Sequence, residues 1–337
     1  MESYHKYHHF FTAPIQPEPF LAEENKRYSL MPLRHPAIFA NYIDQTKKRW
    51  TPTEVDLSQD KKDWDERLTS DERYFIKNIL GFFAGSDAVV NANISENMLK
   101  YFTPLEIIMC YQEQASVENI HNIQYNLFID TYITDETEKL DLFNAIETNP
   151  AIKMKKEWCE TWMKSDKPIS LKIIAFAIME GVFFSGAFAA IFWLKERGIL
   201  RGLITGNHFI APEEAIHVAL AVLIYNLMKN KITQDIVYEM FDQAVEIEDM
   251  FINQSLPCKL LGMNSKLMSD YIRYVADILL VQLGYDRKYY TNMGLEYMGK
   301  IDVYAKENFF ENKAHNYEEP QVNSRDWVML ARVIEDD

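Results

Sequence analysis

Apolar residues recur every three or four positions through most of the chain from about residue 69, and no stretch alternates strictly. That periodicity predicts long helices and no sheet. Thr69 and Glu72 match a capping box that opens a helix running to about residue 100. Thr103, Pro104 and Glu106 repeat the signal, with proline at the first helical position, for a helix reaching about 133. Further helices are predicted over 136–146, 151–164, 169–197, 211–230, 233–253 and 265–284, with Gly198 and Gly284 as stops. The expected class is all-α.

The ends differ from this middle. Residues 1–30 read as an irregular N-terminal arm, whose His5, His8 and His9 are expected in a solvated tail rather than on a metal. Residues 31–312 form the helical domain. Residues 313–337 are polar and interrupted by Pro320, with Trp327, Leu330, Ala331 and Ile334 at helical spacing. Spacing alone allows either a frayed end or a tail that folds onto a partner.

The stretch 173–194 is apolar enough to span a bilayer, but Glu180 sits in its middle. An unpaired carboxylate in hydrocarbon costs several kcal/mol, so a buried core helix is predicted and no membrane association. Glu180 then needs a buried partner. Only 11 glycines among 337 residues argue against a turn-rich sandwich or barrel, and no Pro/Gly/Ser-rich linker divides the middle into two domains. The formal charge of −15 argues against nucleic-acid binding, since phosphate contacts need a basic surface. Cys110, Cys159 and Cys258 are odd in number and form neither a zinc pattern nor a disulfide framework. They point to a reducing compartment, and the first residues lack a signal-peptide profile, so a cytoplasmic protein is expected.

The chemistry lies in two repeats of one arrangement. Glu118-x-x-His121 and Glu214-x-x-His217 each place an oxygen and a nitrogen ligand on one helical face. Asp87 precedes the first by 31 residues and Glu180 the second by 34, both within apolar runs. Either pair alone is a weak signal; Glu2 and His5 share the spacing without meaning. Together, four carboxylates and two imidazoles match the dinuclear sites of ferritin-like bundles. Oxygen-rich ligation with imidazole and no thiolate suits iron or manganese. Tyr125 follows His121 by four residues on the same stripe. A tyrosine there is commonly core filling, but beside a metal pair able to reduce oxygen it is a ready electron donor. Phe184 and Phe188, one and two turns beyond Glu180, are placed to exclude water.

In combination, SDAVVNANI, VENIHNIQYNLFIDTYI, MEGVFFSGAFAAIFWLKERG, EEAIH and ENFFENKAHNY resemble the radical-generating small subunit of class I ribonucleotide reductase, nearest the eukaryote-type sequences, from about Trp50 to Tyr317. The resemblance implies a ferritin-like helical bundle with additional helices. It implies that Asp87, Glu118 and His121 bind one iron and Glu180, Glu214 and His217 the other, with Glu118 and Glu214 bridging. A manganese–iron pair would use the same ligands. Molecular oxygen would oxidise Tyr125, in an apolar pocket that includes Phe184, Phe188 and Ile210. Trp50 would pass electrons toward His121, and Tyr317 would relay the radical to a large catalytic subunit docked by the C-terminal tail. A homodimer, inactive alone and serving ribonucleotide reduction, follows from the same resemblance.

Two departures stand out. Pro212-Glu213 replaces the family's usual Arg-Asp, so Glu213, one methylene longer, takes the place of the aspartate in the Trp–His relay and puts its efficiency in question. The terminal Ile-Glu-Asp-Asp replaces a phenylalanine-bearing tail and implies a differently shaped docking cleft. The rival readings are a dinuclear oxygenase, a ferritin-like metal store and a degenerate scaffold subunit. Tyr125 and Tyr317 argue against the first, the length and the tail against the second, and the complete ligand set against the third.

Overall fold

The computed structural model describes residues 6–164, 166–255, 263–295 and 297–298. Its helices are α1 (Pro36–Thr46), α2 (Asp60–Glu66), α3 (Ser70–Asn93), α4 (Leu105–Tyr132), α5 (Glu136–Phe143), α6 (Ala145–Thr148) and α7 (Pro150–Trp162), followed by α8 (Ile169–Ile178), α9 (Ser185–Arg197), α10 (Arg201–Leu227), α11 (Gln234–Ser255) and α12 (Ser265–Gln282). Among the described residues there is no strand; Phe11 and Ile232 form an isolated bridge. The class is all-α, as the periodicity predicts. α3 packs on α4, α1 on α4 and α10, and α8 and α9 on α10, while α11 packs on α7 and α12. One apolar core runs through these contacts.

Local chemistry sets the helix ends. At the start of α3, Thr69 Oγ1 accepts from the Glu72 amide at 3.2 Å and the Glu72 carboxylate accepts from the Thr69 amide at 2.8 Å, completing the capping box. α9 stops at Gly198, whose φ of +60° is left-handed backbone that a side chain disfavours. At the start of α10, Asp60 accepts from the Gly202 and Leu203 amides at 2.9 and 2.8 Å and from the Tyr132 hydroxyl at 2.7 Å. That buried carboxylate satisfies free amides of the first turn and complements the helix dipole.

Five expectations need correction, and the helix predicted to about residue 100 is one of them, since it passes into a π-turn at Ile94–Met98. The predicted continuous helix over 169–197 is broken by a π-turn at Met179–Phe183. A π-turn has no local sequence signature, and here tertiary packing overrides an uninterrupted apolar pattern. The helix placed at 211–230 begins ten residues earlier, at Arg201, and Pro212 lies inside it. Proline costs one rung of the ladder, and burial of most of α10 outweighs that loss. The helix over 136–146 is split at Asn144 into α5 and α6. Helices α1 and α2 fall in a stretch where the sequence predicted none.

The membrane-like stretch behaves as a core helix should. Segments 169–197 and 201–227 are both long and apolar enough to cross a bilayer, yet their most apolar windows are 100% and 72% buried inside the bundle. The described part of the arm is irregular but tied to the body. Thr12 N donates to Lys231 O at 3.0 Å, Thr233 N to Phe10 O at 2.7 Å, and Asn230 N to the Glu18 carboxylate at 2.7 Å. His8 and His9 are exposed and belong to neither ligand cluster described below. His5 lies outside the described residues.

Candidate metal centre

Four segments converge on one buried point. α3 supplies Asp87, α4 supplies Glu118 and His121, the π-turn supplies Glu180, and α10 supplies Glu214 and His217. All six are at most 1% exposed. Ligand atoms of Asp87, Glu118 and His121 lie within 4.8 Å of one another, as do those of Glu118, Glu180, Glu214 and His217. Glu118 thus belongs to both groups. Glu214 also reaches across, with Oε1 2.9 Å from His121 Nδ1 and Oε2 3.1 Å from His217 Nδ1. His217 Nδ1 lies 3.0 Å from Glu118 Oε1.

The donors fit a pair of metal ions. Asp87 Oδ2, Glu118 Oε2 and Glu180 Oε2 are all buried without a hydrogen-bond partner. Buried polar atoms are nearly always paired, so three such carboxylate oxygens in one place call for a cation. In the metal-free protein, protons take that role. Burial, then the charge of Glu118, pushes the Asp87 carboxyl well above its ordinary range; burial, then Glu214, does the same to Glu180. Burial opposes ionisation of Glu214 as well, but His121 and His217 outweigh it and hold that carboxyl low. Burial likewise disfavours the charged His217, yet Glu118 and Glu214 raise it to about 9. Ions entering the site would replace these protons.

Tyr125 sits beside the cluster on α4, 1% exposed, its hydroxyl buried and without a partner. Burial, reinforced by the charge of Asp87, pushes its phenol well above the usual range, so it keeps its proton. Phe83 stacks flat on it, with centroids 4.3 Å apart and planes 1° from parallel. Phe184 and Phe188 pack on Phe83 at 5.7 and 5.1 Å, forming an apolar wall one ring further out. Ile210 is buried on α10. At Gly206 a β-carbon would lie 2.7 Å from the Phe128 ring, so the glycine permits the close approach of α10 to α4.

On the other side, Trp50 Nε1 donates to Glu213 Oε2 at 2.9 Å, and His121 Nε2 lies 2.7 Å from that same oxygen. The Trp50 and His121 rings are 6.4 Å apart and 23° from parallel. The extra methylene of Glu213 does not prevent the double contact. Were a metal ion bound, donation of Nε2–H to Glu213 would leave the Nδ1 lone pair of His121 for the ion. Tyr317 lies outside the described residues.

Several neighbours escaped sequence reasoning. Gln114 Nε2 donates to Glu180 Oε1 at 3.0 Å and approaches Glu118 Oε1 at 3.4 Å; the Ser86 hydroxyl lies 3.2 Å from Asp87 Oδ1. Arg49 forms a two-pronged bridge to Glu113 at 2.8 and 2.7 Å, fixing the backbone next to Trp50. Gln114 and Phe83 each stand four residues before a ligand, Glu118 and Asp87, so helical spacing was the available signal. Cys110 and Cys159 are buried free thiols.

The family profile described as "Ribonucleotide reductase, small chain" matches residues 27–294. The chain belongs to that family. A ribonucleoside-diphosphate reductase small chain of Acanthamoeba polyphaga mimivirus is 46% identical over 98% of this chain, with 80% of the relative covered. Its counterpart in Trypanosoma brucei brucei is 42% identical, over 91% of both sequences. Among solved structures, the Rnr4 homodimer of Saccharomyces cerevisiae has a TM-score of 0.75 at 27% identity, covering 82% of this chain, with 87% of the yeast protein covered. The dimanganese(II) NrdF of Streptococcus sanguinis, at 16% identity and a TM-score of 0.68 over 84% of this chain, with 99% of its own length covered, shares the fold. The small chain described here is accordingly an oxidoreductase subunit with a ferritin-like helical bundle, and its buried carboxylate–histidine cluster fits a dinuclear metal site.

Proposed function

We propose that this small chain generates and stores a tyrosyl radical at Tyr125 and delivers it to a large catalytic subunit for ribonucleotide reduction. The observation that carries the reading is the convergence of six buried ligands with a buried, unpartnered phenol one helical turn along the same face. Asp87, Glu118 and His121 would hold one ion and Glu180, Glu214 and His217 the other, with Glu118 and Glu214 shared. When bound, a pair of iron ions, or manganese with iron, supplies the oxidising equivalents drawn from molecular oxygen.

The chain's own residues do the rest. Tyr125 would give its electron to the oxidised metal pair and its phenolic proton toward the Asp87 carboxylate, the charge that bears most on it, because burial keeps the phenolate out of reach. The aromatic wall of Phe83, Phe184 and Phe188 keeps water from the resulting radical. Trp50, joined to His121 through Glu213, carries electrons between the cluster and the surface. Tyr317 and the tail from residue 313 extend that route to the large subunit. The yeast relative is described as a homodimer, and we extend that assembly to this chain.

Low-temperature electron paramagnetic resonance tests the reading. Metal-free protein is loaded anaerobically with ferrous iron and exposed to oxygen; a tyrosyl doublet near the free-electron position is the expected result. Metal uptake and oxygen consumption without that doublet, with iron or with manganese and iron, would reduce the claim to a dinuclear oxidase or store.

The relay makes a second prediction. Glu213→Asp pulls the carboxylate back by one methylene and cannot keep both the 2.9 and the 2.7 Å contacts. Coupled turnover with the large subunit is expected to fall about 10–100-fold, as for other partners of metal-bound histidines. Radical yield should hold. A rate equal to that of the unaltered protein would count against a relay through Glu213, and a higher one would mean that the shorter aspartate serves the relay better.

A further inference from the structure

The segment carrying Glu180 is irregular, and something must hold it so. At the seam between the π-turn and α9, the carbonyl of Phe183 falls outside the ladder of α9, whose first acceptor is Phe184 O, bonded to Phe188 N at 3.0 Å. Carbonyls at such an end need other donors when buried. Ser185 Oγ donates to Val182 O at 2.7 Å, and Lys155 Nζ of α7 donates to Phe183 O at 3.1 Å.

Lys155 is a costly donor to place there. It is 2% exposed, lies 3.8 and 3.9 Å above the rings of Phe82 and Phe251, and forms an ion pair with Glu248 of α11 at 2.5 Å. Glu248 itself is fully buried, and a β-carbon at Gly186, in the first turn of α9, would stand 2.7 Å from its Oε1. The ammonium therefore sits on the carbonyl end of the π-turn and the carboxylate against the amide end of α9, each matching the dipole it faces. Neither residue touches the metal cluster. An apolar pair would fill the space at little cost in stability.

We infer that Lys155, with Glu248 as its counterion, is a positioning residue that holds the π-turn in register, so that Glu180 faces the metals while Phe184 and Phe188 face the Tyr125 wall. A π-turn inserts one residue, and each helical residue turns the chain by about 100°. Relaxation to a plain α-helix would swing either Glu180 or the two phenylalanines away from its neighbours. The inference rests on the metal-site reading above, but its structural part can be tested without metal.

The central variant is Lys155→Met/Glu248→Leu, which keeps the core filled and removes the donor to Phe183 O. Mn(II) is titrated into metal-free protein under argon and bound ions are counted. The unaltered protein should take up two ions; the double variant should keep one, with the second bound about 10–100-fold more weakly. Glu248→Gln, which leaves the amine on Phe183 O, should retain both. Lys155→Gln is one bond too short to reach Phe183 O; it should reproduce the loss and serves if the double variant does not fold. A crystal structure of the metal-free variant supplies the second readout, with Glu180 expected to leave its 3.0 Å contact with Gln114. Two ions at unaltered affinity, with that contact intact, would overturn the inference. Failure of the unaltered protein to bind a metal pair would instead strike the proposed function, and the crystal structure alone would then decide the register.

Discussion

Tyr125→Phe is expected to abolish the radical signal and coupled reductase turnover while leaving metal content and melting temperature nearly unchanged. The prediction follows from what the hydroxyl does not do. It is buried and has no hydrogen-bond partner, so deleting it breaks no bond and leaves no other group unsatisfied. The ring of phenylalanine fills the same space and keeps the flat stack on Phe83. The stability change should stay below about 1 kcal/mol. What disappears is the phenolic O–H, which alone makes the ring a one-electron donor that can shed its proton. Metal analysis, thermal melting and paramagnetic resonance of one preparation separate these effects. Survival of the doublet would redirect attention to Tyr111, also fully buried with an unpartnered hydroxyl, and raised by burial and then by Cys110 and Glu180.

The second large effect concerns the shared ligand. Glu118→Leu should cost the protein both ions, whereas Asp87→Ala should cost one. Glu118 stands in both clusters, each with ligand atoms within 4.8 Å, while Asp87 stands in the first alone. Glu118 also approaches both imidazoles, with Oε2 3.4 Å from His121 Nδ1 and Oε1 3.0 Å from His217 Nδ1. Leucine nearly preserves the volume, so the comparison reads coordination more than packing. Ions retained per protomer after anaerobic loading and desalting measure the difference. Equal losses from the two variants would mean that the carboxylates do not divide between the ions as the geometry indicates.

The candidate ligand set was legible because each part left a mark. Glu-x-x-His is a helical spacing, and Asp87 and Glu180 were conspicuous as carboxylates inside apolar runs. Their meeting point could be guessed from the repeat, and the structure places them together in one buried region. The π-turn at Met179–Phe183 was not legible, since its cause lies in Lys155 and Glu248, 24 or more residues away in sequence. Helix α10 was misplaced at its start because Pro212 looks like a first-turn residue, and the caps that open the helix, Asp60 and Asp63, come from far upstream. α1 buries only a few positions, among them Asn41 and Gln45, so its pattern is faint. Phe83 was passed over as one phenylalanine among many; its stacking on Tyr125 is a property of packing between α3 and α4.

Glu213 and Glu214 are neighbours on α10, yet Glu213 joins Trp50 to His121 Nε2 while Glu214 lies against Nδ1 of His121 and of His217. Adjacent residues on a helix diverge by about 100°, so a single turn serves two different layers of the molecule. The arrangement works like two teeth on one shaft. A small rotation of α10 about its axis shifts the ligand and the relay contact together, in a fixed ratio. Were Glu214 to grip a metal ion, a change in that grip would reach Trp50 through the turn of α10 that also carries Glu213.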